Sequence, residues 1–172
     1  MATDAEIRSK FWKALNSDMT MFLGLAEGED GHARPMTAQL EEDLYKDGEY
    51  SGPIWFFTST DGSLYRSVQQ AELAGETPRA MAHFASKGHD VWATVHGTLS
   101  TSRDHATIDR LWNRFVAAWY ESNDDPKIAL VRLDGEDAEI WIDASSLVTG
   151  IKMLIGIDPK KDAKGKVAEV KL

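Results

Sequence analysis

The sequence of 172 residues contains no cysteine. Disulfide bonds, a thiolate nucleophile and zinc sites with sulfur ligands are therefore excluded. No apolar run approaches the roughly 18 residues that span a bilayer, and the first residues lack the basic and apolar regions of a secretion signal. These absences predict a cytoplasmic protein that does not enter a membrane.

Positive charge is also scarce, because 19 Lys and Arg residues stand against 28 Asp and Glu residues and leave a formal net charge of −9. Nucleic-acid binding rests mainly on basic contacts to phosphate, so we expect no nucleic-acid partner. The apolar content of 42% is ordinary for a globular protein. The length predicts a single domain over residues 1–172, with an N-terminal helical segment at 1–17 and a C-terminal extension at 159–172.

Familiar catalytic motifs are missing as well. The sequence holds no GxSxG, Walker or GxGxxG pattern, and its five histidines show neither the spacing of a zinc helix nor a triad with a carboxylate. We therefore expect no metal site. A redox cofactor performs the difficult chemical step itself and needs no such triad. Six tryptophans suggest flat ligands or a large aromatic interface as much as a core.

The most informative stretch is an apolar strand that ends in a polar turn. Residues 54–59 read Ile-Trp-Phe-Phe-Thr-Ser, and residues 60–63 carry turn formers in front of a helix. Three hydroxyl groups lie near the start of that helix, on Thr58, Ser59 and Ser63. Hydroxyls and free N–H groups at a helix start suit a phosphate. The same residue types also fit a simple turn with a helix cap, so both interpretations stay open.

The rest of the chain alternates between strand and helix patterns. A capping box at Thr3 and Glu6 begins a helix that runs to about Asn16. Because Pro35 has no N–H, its strand is expected to be an edge or to carry a bulge there, and Gly97 is expected to kink its strand. Strands are predicted at 19–25, 32–40, 54–59, 79–85, 90–99 and 167–172, with a helix at about 64–73. The whole predicts a mainly β protein, a six- to seven-stranded antiparallel split β-barrel with flanking helices.

Several segments carry weaker predictions. Ser102 is expected to cap a helix whose apolar stripe continues to Trp119, either as core or as a contact to a ligand or neighbouring subunit. Residues 134–137 are expected to form the turn of a hairpin between strands 127–133 and 138–142. Residues 41–53 read as a long loop or weak hairpin, and 159–166 as a linker. For residues 145–157 the pattern does not choose between helix and loop.

Several short motifs in a fixed order resemble a known family. They are Arg34-Pro35-Met36 after a Gly-rich turn, Trp55-Phe56-Phe57-Thr58-Ser59, His96-Gly97-Thr98, Leu111-Trp112, Asp125-Pro126 and Ala138-Glu139-Ile140-Trp141. From about Ile7 to Leu172, the chain resembles the general stress protein 26-like branch of the pyridoxamine 5′-phosphate oxidase-like superfamily. The resemblance implies an FMN-binding split β-barrel, and a homodimer with two FMN molecules at its interface.

The resemblance also implies which residues hold FMN. The motif at 34–36 would lie along the isoalloxazine edge, and residues 57–59 would line the flavin and the start of the phosphate site. The helix start would complete the phosphate site, and the facing subunit would contribute Trp112 and the strand near His96. The cofactor-binding residues expected on this basis are Arg34, Pro35, Met36, Phe57, Thr58, Ser59, Ser63, Arg66, His96 and Trp112.

The sequence departs from the family pattern at the phosphate site. Family members place a Lys shortly after the Thr-Ser pair, whereas this chain reads Gly62-Ser63-Leu64-Tyr65-Arg66. Arg66 is a candidate substitute, because its guanidinium fork suits phosphate, although its register is shifted. The segment 41–53 is also longer than the resemblance implies and would narrow a pocket. The basic residues with which true pyridoxamine phosphate oxidases hold their substrate have no match, so oxidation of vitamin B6 compounds is not expected.

Three functions remain open from the sequence. The first is a flavin-dependent oxidoreductase that acts on an unknown small molecule, and the second is an FMN-binding stress protein without a defined turnover. The third is a split barrel that binds haem or a deazaflavin, for which His83, His89 and His96 are candidate haem ligands. Catalysis by a flavin needs no recognisable side chain, so the sequence discriminates poorly between the first two.

Overall fold

The computed structural model describes residues 3–28, 31–143 and 166–172. Its helices are α1 Asp4–Asp18, α2 Ser63–Leu73 and α3 His105–Leu111, with a 3-10 helix at Glu42–Leu44. Its strands are β1 Thr20–Leu25, β2 Ala33–Gln39, β3 Tyr45–Lys46, β4 Glu49–Tyr50, β5 Ile54–Ser59, β6 Arg79–Ala85, β7 Val91–Ser102, β8 Ile128–Ile142 and β9 Lys166–Lys171.

Six antiparallel strands close a barrel in the order β5-β2-β1-β6-β7-β8, and β8 pairs back to β5. The seventh strand, β9, lies outside this ring and pairs with the second half of β8. Side chains alternate between the two faces of each strand, so every second residue enters the core. In β7 the inward residues Val91, Ala93, Val95 and Leu99 are all buried. The predicted mainly β split barrel with flanking helices is confirmed.

Helix α1 packs its apolar face against the barrel. The predicted capping box is present, since Thr3 N–H donates to the Glu6 carboxylate at 2.7 Å and Glu6 N–H donates to the Thr3 hydroxyl at 3.3 Å. Phe11 is fully buried and meets the ring of Phe84 edge-on, with 5.9 Å between centroids. Burying one such side chain contributes about 1.5–3 kcal/mol. This contact joins the helix to the barrel core.

The barrel is incompletely closed between β2 and β5. Only Ala38 and Gln39 of β2 pair with β5, opposite Phe56 and Trp55. Pairing with β1 continues along the rest of β2, so the first part of this strand is an edge on its other side. Pro35 lies in that edge stretch, where its missing N–H breaks no ladder bond. The edge position predicted for Pro35 is confirmed, and the separation of the two strands opens a cleft.

The hairpin predicted at residues 134–137 is wrong. Residues 128–142 form one continuous strand, β8. Along one edge, its first half pairs with β5 and its second half with β9. Along the other edge, it pairs with β7. The turn-like residues form a β-bulge instead, where the β7 register shifts between His96 and Gly97. Tight turns and bulges use the same residue types, and pairing with three distant strands decides between them.

The helix after β7 is shorter than predicted. Asp104, rather than Ser102, provides the side-chain cap of α3. The apolar periodicity continues beyond α3, but the helix does not. Asn113 explains the break, because its Oδ1 accepts the backbone N–H groups of Phe115 at 2.9 Å and Val116 at 3.2 Å. Such local bonds compete with helix formation.

The remaining predictions have mixed outcomes. Residues 41–53 contain the 3-10 helix and the short β3–β4 hairpin. Of the two expected alternatives, a long loop or a weak hairpin, the hairpin is therefore the one present. The last strand is present as β9. The segment 145–157 and the linker residues 159–165 lie outside the described residues. Within the described ranges no helix is long and apolar enough to cross a membrane.

Candidate functional site

A cleft of about 530 Å³ lies where β2 and β5 diverge. The segment that follows α3 forms its remaining wall. This cleft is called the aromatic cleft below. It is lined by Thr20, Pro35, Met36, Thr37, Gln39, Phe57, Phe115, Val116, Trp119 and Tyr120. Pro35, Met36 and Phe57 were predicted site residues. None of the described lining residues carries a formal charge, so the cleft favours an uncharged, apolar surface on its ligand.

Aromatic rings dominate the walls of this cleft. The ring centroid of Phe57 is 6.2 Å from that of Trp112 and 6.4 Å from that of Tyr120. Trp112 does not line the cleft itself but packs against Phe57, which does. Trp119 is 83% exposed and Phe115 is 50% exposed. Exposed aromatic rings beside a cleft mark a contact surface for a ligand or another protein. The arrangement suits a planar ligand.

Tyr120 adds a polar group to the aromatic wall. Burial raises the pKa of its phenol, and the carboxylates of Asp125 and Asp61 raise it further. The free phenol titrates near pH 10. With its pKa raised above that value, the Tyr120 hydroxyl stays protonated at neutral pH and can donate a hydrogen bond.

The open edge of β2 offers backbone groups to the aromatic cleft. Ala38 N–H donates to the carbonyl of Met19 at 2.6 Å, on the β1 side of the strand. Backbone groups alternate in direction along a strand. Pro35 and Thr37 therefore direct theirs to the side from which β5 has diverged. Pro35 has no N–H to leave unsatisfied at this edge.

Helix α2 begins at the end of β5 with backbone amides that have no capping side chain. Its N-cap is Gly62, and the first turn holds no acidic residue. A Cβ at this position would lie 3.0 Å from the Ser59 carbonyl and 3.3 Å from the Thr58 hydroxyl. Glycine therefore keeps the helix start close to the strand end. Free amides and the positive end of the helix dipole favour an anion here.

Two opposite charges lie beside this helix start. The Ser59 hydroxyl donates to Asp61 at 2.5 Å, and this bond, together with the nearby Lys127, lowers the pKa of the Asp61 carboxyl. The Lys127 ammonium is 3.5 Å from the same carboxylate. The backbone also ties Lys127 to the turn, since its carbonyl accepts the N–H of Thr60 at 2.9 Å. The structure thus places a lysine beside the start of α2 that sequence reasoning missed, with Asp61 as its partner.

The predicted basic residues occupy different surroundings. Arg66 is exposed on the first turns of α2, and its guanidinium group forms no hydrogen bond or ion pair within the part of the chain that the structure describes. Ser63 is the first residue of the same helix. Arg34 is half-buried in β2, opposite the core residue Leu23. Arg66 is therefore the more available of the two predicted cations.

His96 lies away from the aromatic cleft. It is on the outer face of β7, where its Nδ1 is 2.9 Å from the Asp137 carboxylate. Three strand spacings separate β7 from β2 in the sheet, about 14 Å at the usual distance between strands. The candidate haem ligands His83, His89 and His96 do not line the cleft. Among the described residues, no cluster of three or more His, Asp or Glu side chains could hold a metal ion.

Comparisons with known proteins agree with this architecture. A sequence profile described as pyridoxamine 5′-phosphate oxidase like matches residues 6–162. A general stress family protein from Xanthomonas campestris pv. campestris is 52% identical, with 86% of this chain and 94% of that chain covered and a TM-score of 0.72. The general stress FMN/FAD binding protein from Xanthomonas citri is 51% identical, with coverages of 83% and 93% and a TM-score of 0.71.

More distant similarity supports the fold alone. General stress protein 26 from Jannaschia sp. CCS1 is 22% identical, with 98% of this chain and 99% of that chain covered and a TM-score of 0.75. No curated protein sequence matches the chain. Since the profile covers most of the chain and two structures share about half of its residues, the chain belongs to the pyridoxamine 5′-phosphate oxidase-like family, close to its general stress proteins.

Proposed function

We propose that the protein binds FMN in the aromatic cleft and acts as a flavin-dependent oxidoreductase on a small molecule. The opening between β2 and β5 carries this proposal. It combines aromatic walls, an unpaired strand edge and, at its end, a helix start that favours an anion. FMN has matching parts, namely a flat apolar ring, a polar ring edge and a phosphate. The Xanthomonas citri protein, 51% identical, is described as FMN/FAD binding, which supports the same cofactor class.

Each part of the site has one expected task. The ring packs against Phe57 and its aromatic neighbours, beside the part of β2 that does not pair with β5. The amides at the start of α2, with the hydroxyls of Thr58 and Ser63, bind the phosphate, and Arg66 supplies positive charge, whereas the charge of Lys127 is offset by Asp61. FMN itself supplies hydride transfer when bound. The chain orients the ring and excludes water from one side of it.

The phosphate interaction can be measured directly. Arg66→Ala should weaken FMN binding by about 1.5–3 kcal/mol, the scale of a charge-assisted hydrogen bond, or roughly 10- to 150-fold in Kd. Titration of the flavin-free protein with FMN, followed by flavin fluorescence, gives both constants. Lys10→Ala removes the same charge from an exposed site on α1 and should leave the affinity unchanged. Equal affinities for wild type and Arg66→Ala would remove Arg66 from the site.

We also propose that the protein is a homodimer with the flavin at the subunit interface. Phe22, which is 51% exposed, stands directly opposite Pro35 on the adjacent strand and extends the apolar surface from the cleft across the sheet. Together with the exposed side chains of Trp119 and Phe115 it forms an apolar surface of the kind that marks contacts between proteins. His96 lies on this outer sheet surface, where a second subunit would bring it near a bound flavin.

Static light scattering at micromolar concentration should give twice the chain mass of 19.1 kDa. Phe22→Asp should produce monomers, because it would bury an unpaired charge in the interface. Leu73→Asp is the matched control, since Leu73 is 85% exposed on α2 and does not belong to the apolar surface around the cleft. A wild-type monomer would contradict both the dimer and the shared flavin site.

A further inference from the structure

The imidazole ring of His105 lies between two carboxylates. Its Nδ1 is 3.1 Å from Oδ2 of Asp109, and its Nε2 is 2.9 Å from Oδ1 of Asp124. Ionised carboxylates only accept hydrogen bonds, and a neutral imidazole carries a single N–H, so only the protonated ring donates to both. These three side chains are called the His105 bridge below. The hydrogen bonds to Asp124 and Asp109 raise the pKa of His105 above its ordinary value of 6.5.

The His105 bridge connects helix α3 to the turn at residues 122–127. His105 and Asp109 belong to α3, whereas Asp124 belongs to the turn. The side-chain amide of Asn123 makes a second contact of the same kind, because its Nδ2 donates to Oδ1 of Asp109 at 2.6 Å. An amide does not titrate near neutral pH, whereas an imidazole does. His105 is therefore the donor through which pH acts on the position of the turn.

The other charged side chains near the His105 bridge do not bond to the ring, since both ring nitrogens already have partners. Those beside His105 on α3 and on the turn are Arg103, Asp104, Arg110, Glu121, Asp125 and Lys127. The Asp104 carboxylate instead caps α3, and the guanidinium of Arg103 donates to a carbonyl of the turn at 2.9 Å. The charge of the ring is therefore balanced by Asp109 and Asp124.

The turn at residues 122–127 follows a segment that forms one wall of the aromatic cleft. Its lining residues are Phe115, Val116, Trp119 and Tyr120. Residues 115–120 thus lie between the two parts of the chain that the His105 bridge connects. Among the described residues, no backbone hydrogen bond joins residues 114–122 to a strand of the barrel. The wall is held by side-chain packing, such as that of Tyr120 on Phe57, and by the contacts at its two ends.

We propose that His105 is a positioning residue, whose protonated ring joins Asp109 to Asp124 and thereby holds the 115–120 wall in place against a bound flavin. The effect on the flavin rests on the proposed function, whereas the bridge itself can be observed without a cofactor. Loss of the ring proton leaves one N–H for two carboxylates, so one of the two bonds is lost. Since the pKa of His105 is raised above 6.5, the bridge is complete below that pH and is lost as the pH rises through the raised pKa.

The test measures FMN binding at about pH 6 and about pH 9, on either side of a raised histidine pKa. Flavin fluorescence gives the Kd of wild type and of His105→Gln, whose neutral side chain does not titrate. Between the two pH values, the Kd of the wild type should rise about two- to fivefold more than that of His105→Gln, the range of one exposed ion pair. The FMN phosphate titrates in both proteins, so the comparison removes its contribution.

Three further variants identify the group responsible. His105→Lys keeps a positive charge with several donors across this pH range, so it should show the weak pH dependence of His105→Gln without its loss of affinity. Asp124→Asn removes one carboxylate and should move the transition to lower pH. His89→Asn is the matched control with wild-type behaviour, because His89 is exposed, does not line the cleft and has a φ of +53° that asparagine tolerates. Equal pH dependence in wild type and His105→Gln would overturn the proposal.

Spectra of the flavin-free protein separate this inference from the function beneath it. The indole ¹⁵N–¹H signal of Trp119, assigned by its loss in Trp119→Phe, should move with pH at the same midpoint as the ring signals of His105. It should stay constant in His105→Gln. A Trp119 signal that does not follow His105 would overturn the positioning role. Absence of FMN binding by the wild type, together with a Trp119 signal that follows His105, would contradict the proposed function and leave the hold of the bridge on the wall intact.

Discussion

Flavin-loaded protein supplied with pyridoxamine 5′-phosphate and oxygen should form no pyridoxal 5′-phosphate at a useful rate. That substrate brings a second phosphate next to the flavin, and a phosphate buried without cations is very unfavourable. The described lining of the aromatic cleft contains no charged side chain. Of the arginines close to the cleft, Arg110 is 3.0 Å from Glu41, and Arg114 lies over the ring of Phe115 at 4.9 Å. We therefore expect this cleft to lack the groups that would hold pyridoxamine 5′-phosphate.

The assay follows the absorbance of pyridoxal 5′-phosphate during continuous supply of oxygen. Turnover on the order of 1 s⁻¹, within the ordinary enzyme range, would show that the pocket has been misinterpreted. Reduced flavin in the same preparation should be reoxidised when menadione is added. This control shows that the bound flavin is competent, so that inactivity towards pyridoxamine 5′-phosphate reflects the pocket.

Gly97→Ala should lower the free energy of unfolding by about 3 kcal/mol, the upper range for overpacking a close-packed site. A Cβ at Gly97 would lie 2.1 Å from the carbonyl oxygen of Asp134 and 2.9 Å from its carbonyl carbon. Both atoms belong to the backbone of β8, so no side-chain rotation can relieve the clash. The expected shift of the melting temperature is about 6–12 °C downwards for a chain of this length.

Gly75→Ala is the matched control for this substitution. Gly75 has φ of +78° and no atom near its missing Cβ, whereas Gly97 has the steric conflict without a left-handed backbone. Gly75→Ala should lower the free energy of unfolding by about 1–2 kcal/mol, because alanine is disfavoured in the left-handed backbone conformation. Thermal and denaturant unfolding followed by circular dichroism measure both. A loss below about 1 kcal/mol for Gly97→Ala would mean that the β7–β8 bulge adapts, since overpacking normally costs at least that much.

Local patterns in the sequence determined much of the barrel. Apolar alternation located the core strands, the capping box located the start of α1, and Pro35 indicated the edge of β2. These features depend on neighbours within a few residues, so a single sequence carries them. The ordered motifs between Arg34 and Trp141 indicated the family, and the sequence profile confirmed it.

The tertiary structure alone decided the features that depend on distant pairing. The residues at 134–137 look like a turn, but three partner strands make them a bulge. Lys127 lies beside the start of α2 only because β5 and β8 are neighbours, a pairing that no local pattern shows. The buried amide of Gln39 meets Asn113, far along the chain, through its oxygen, and its nitrogen has no partner among the described residues. A local pattern specifies which secondary structure each segment favours. Long-range contacts determine which groups are brought together and which stay without a partner.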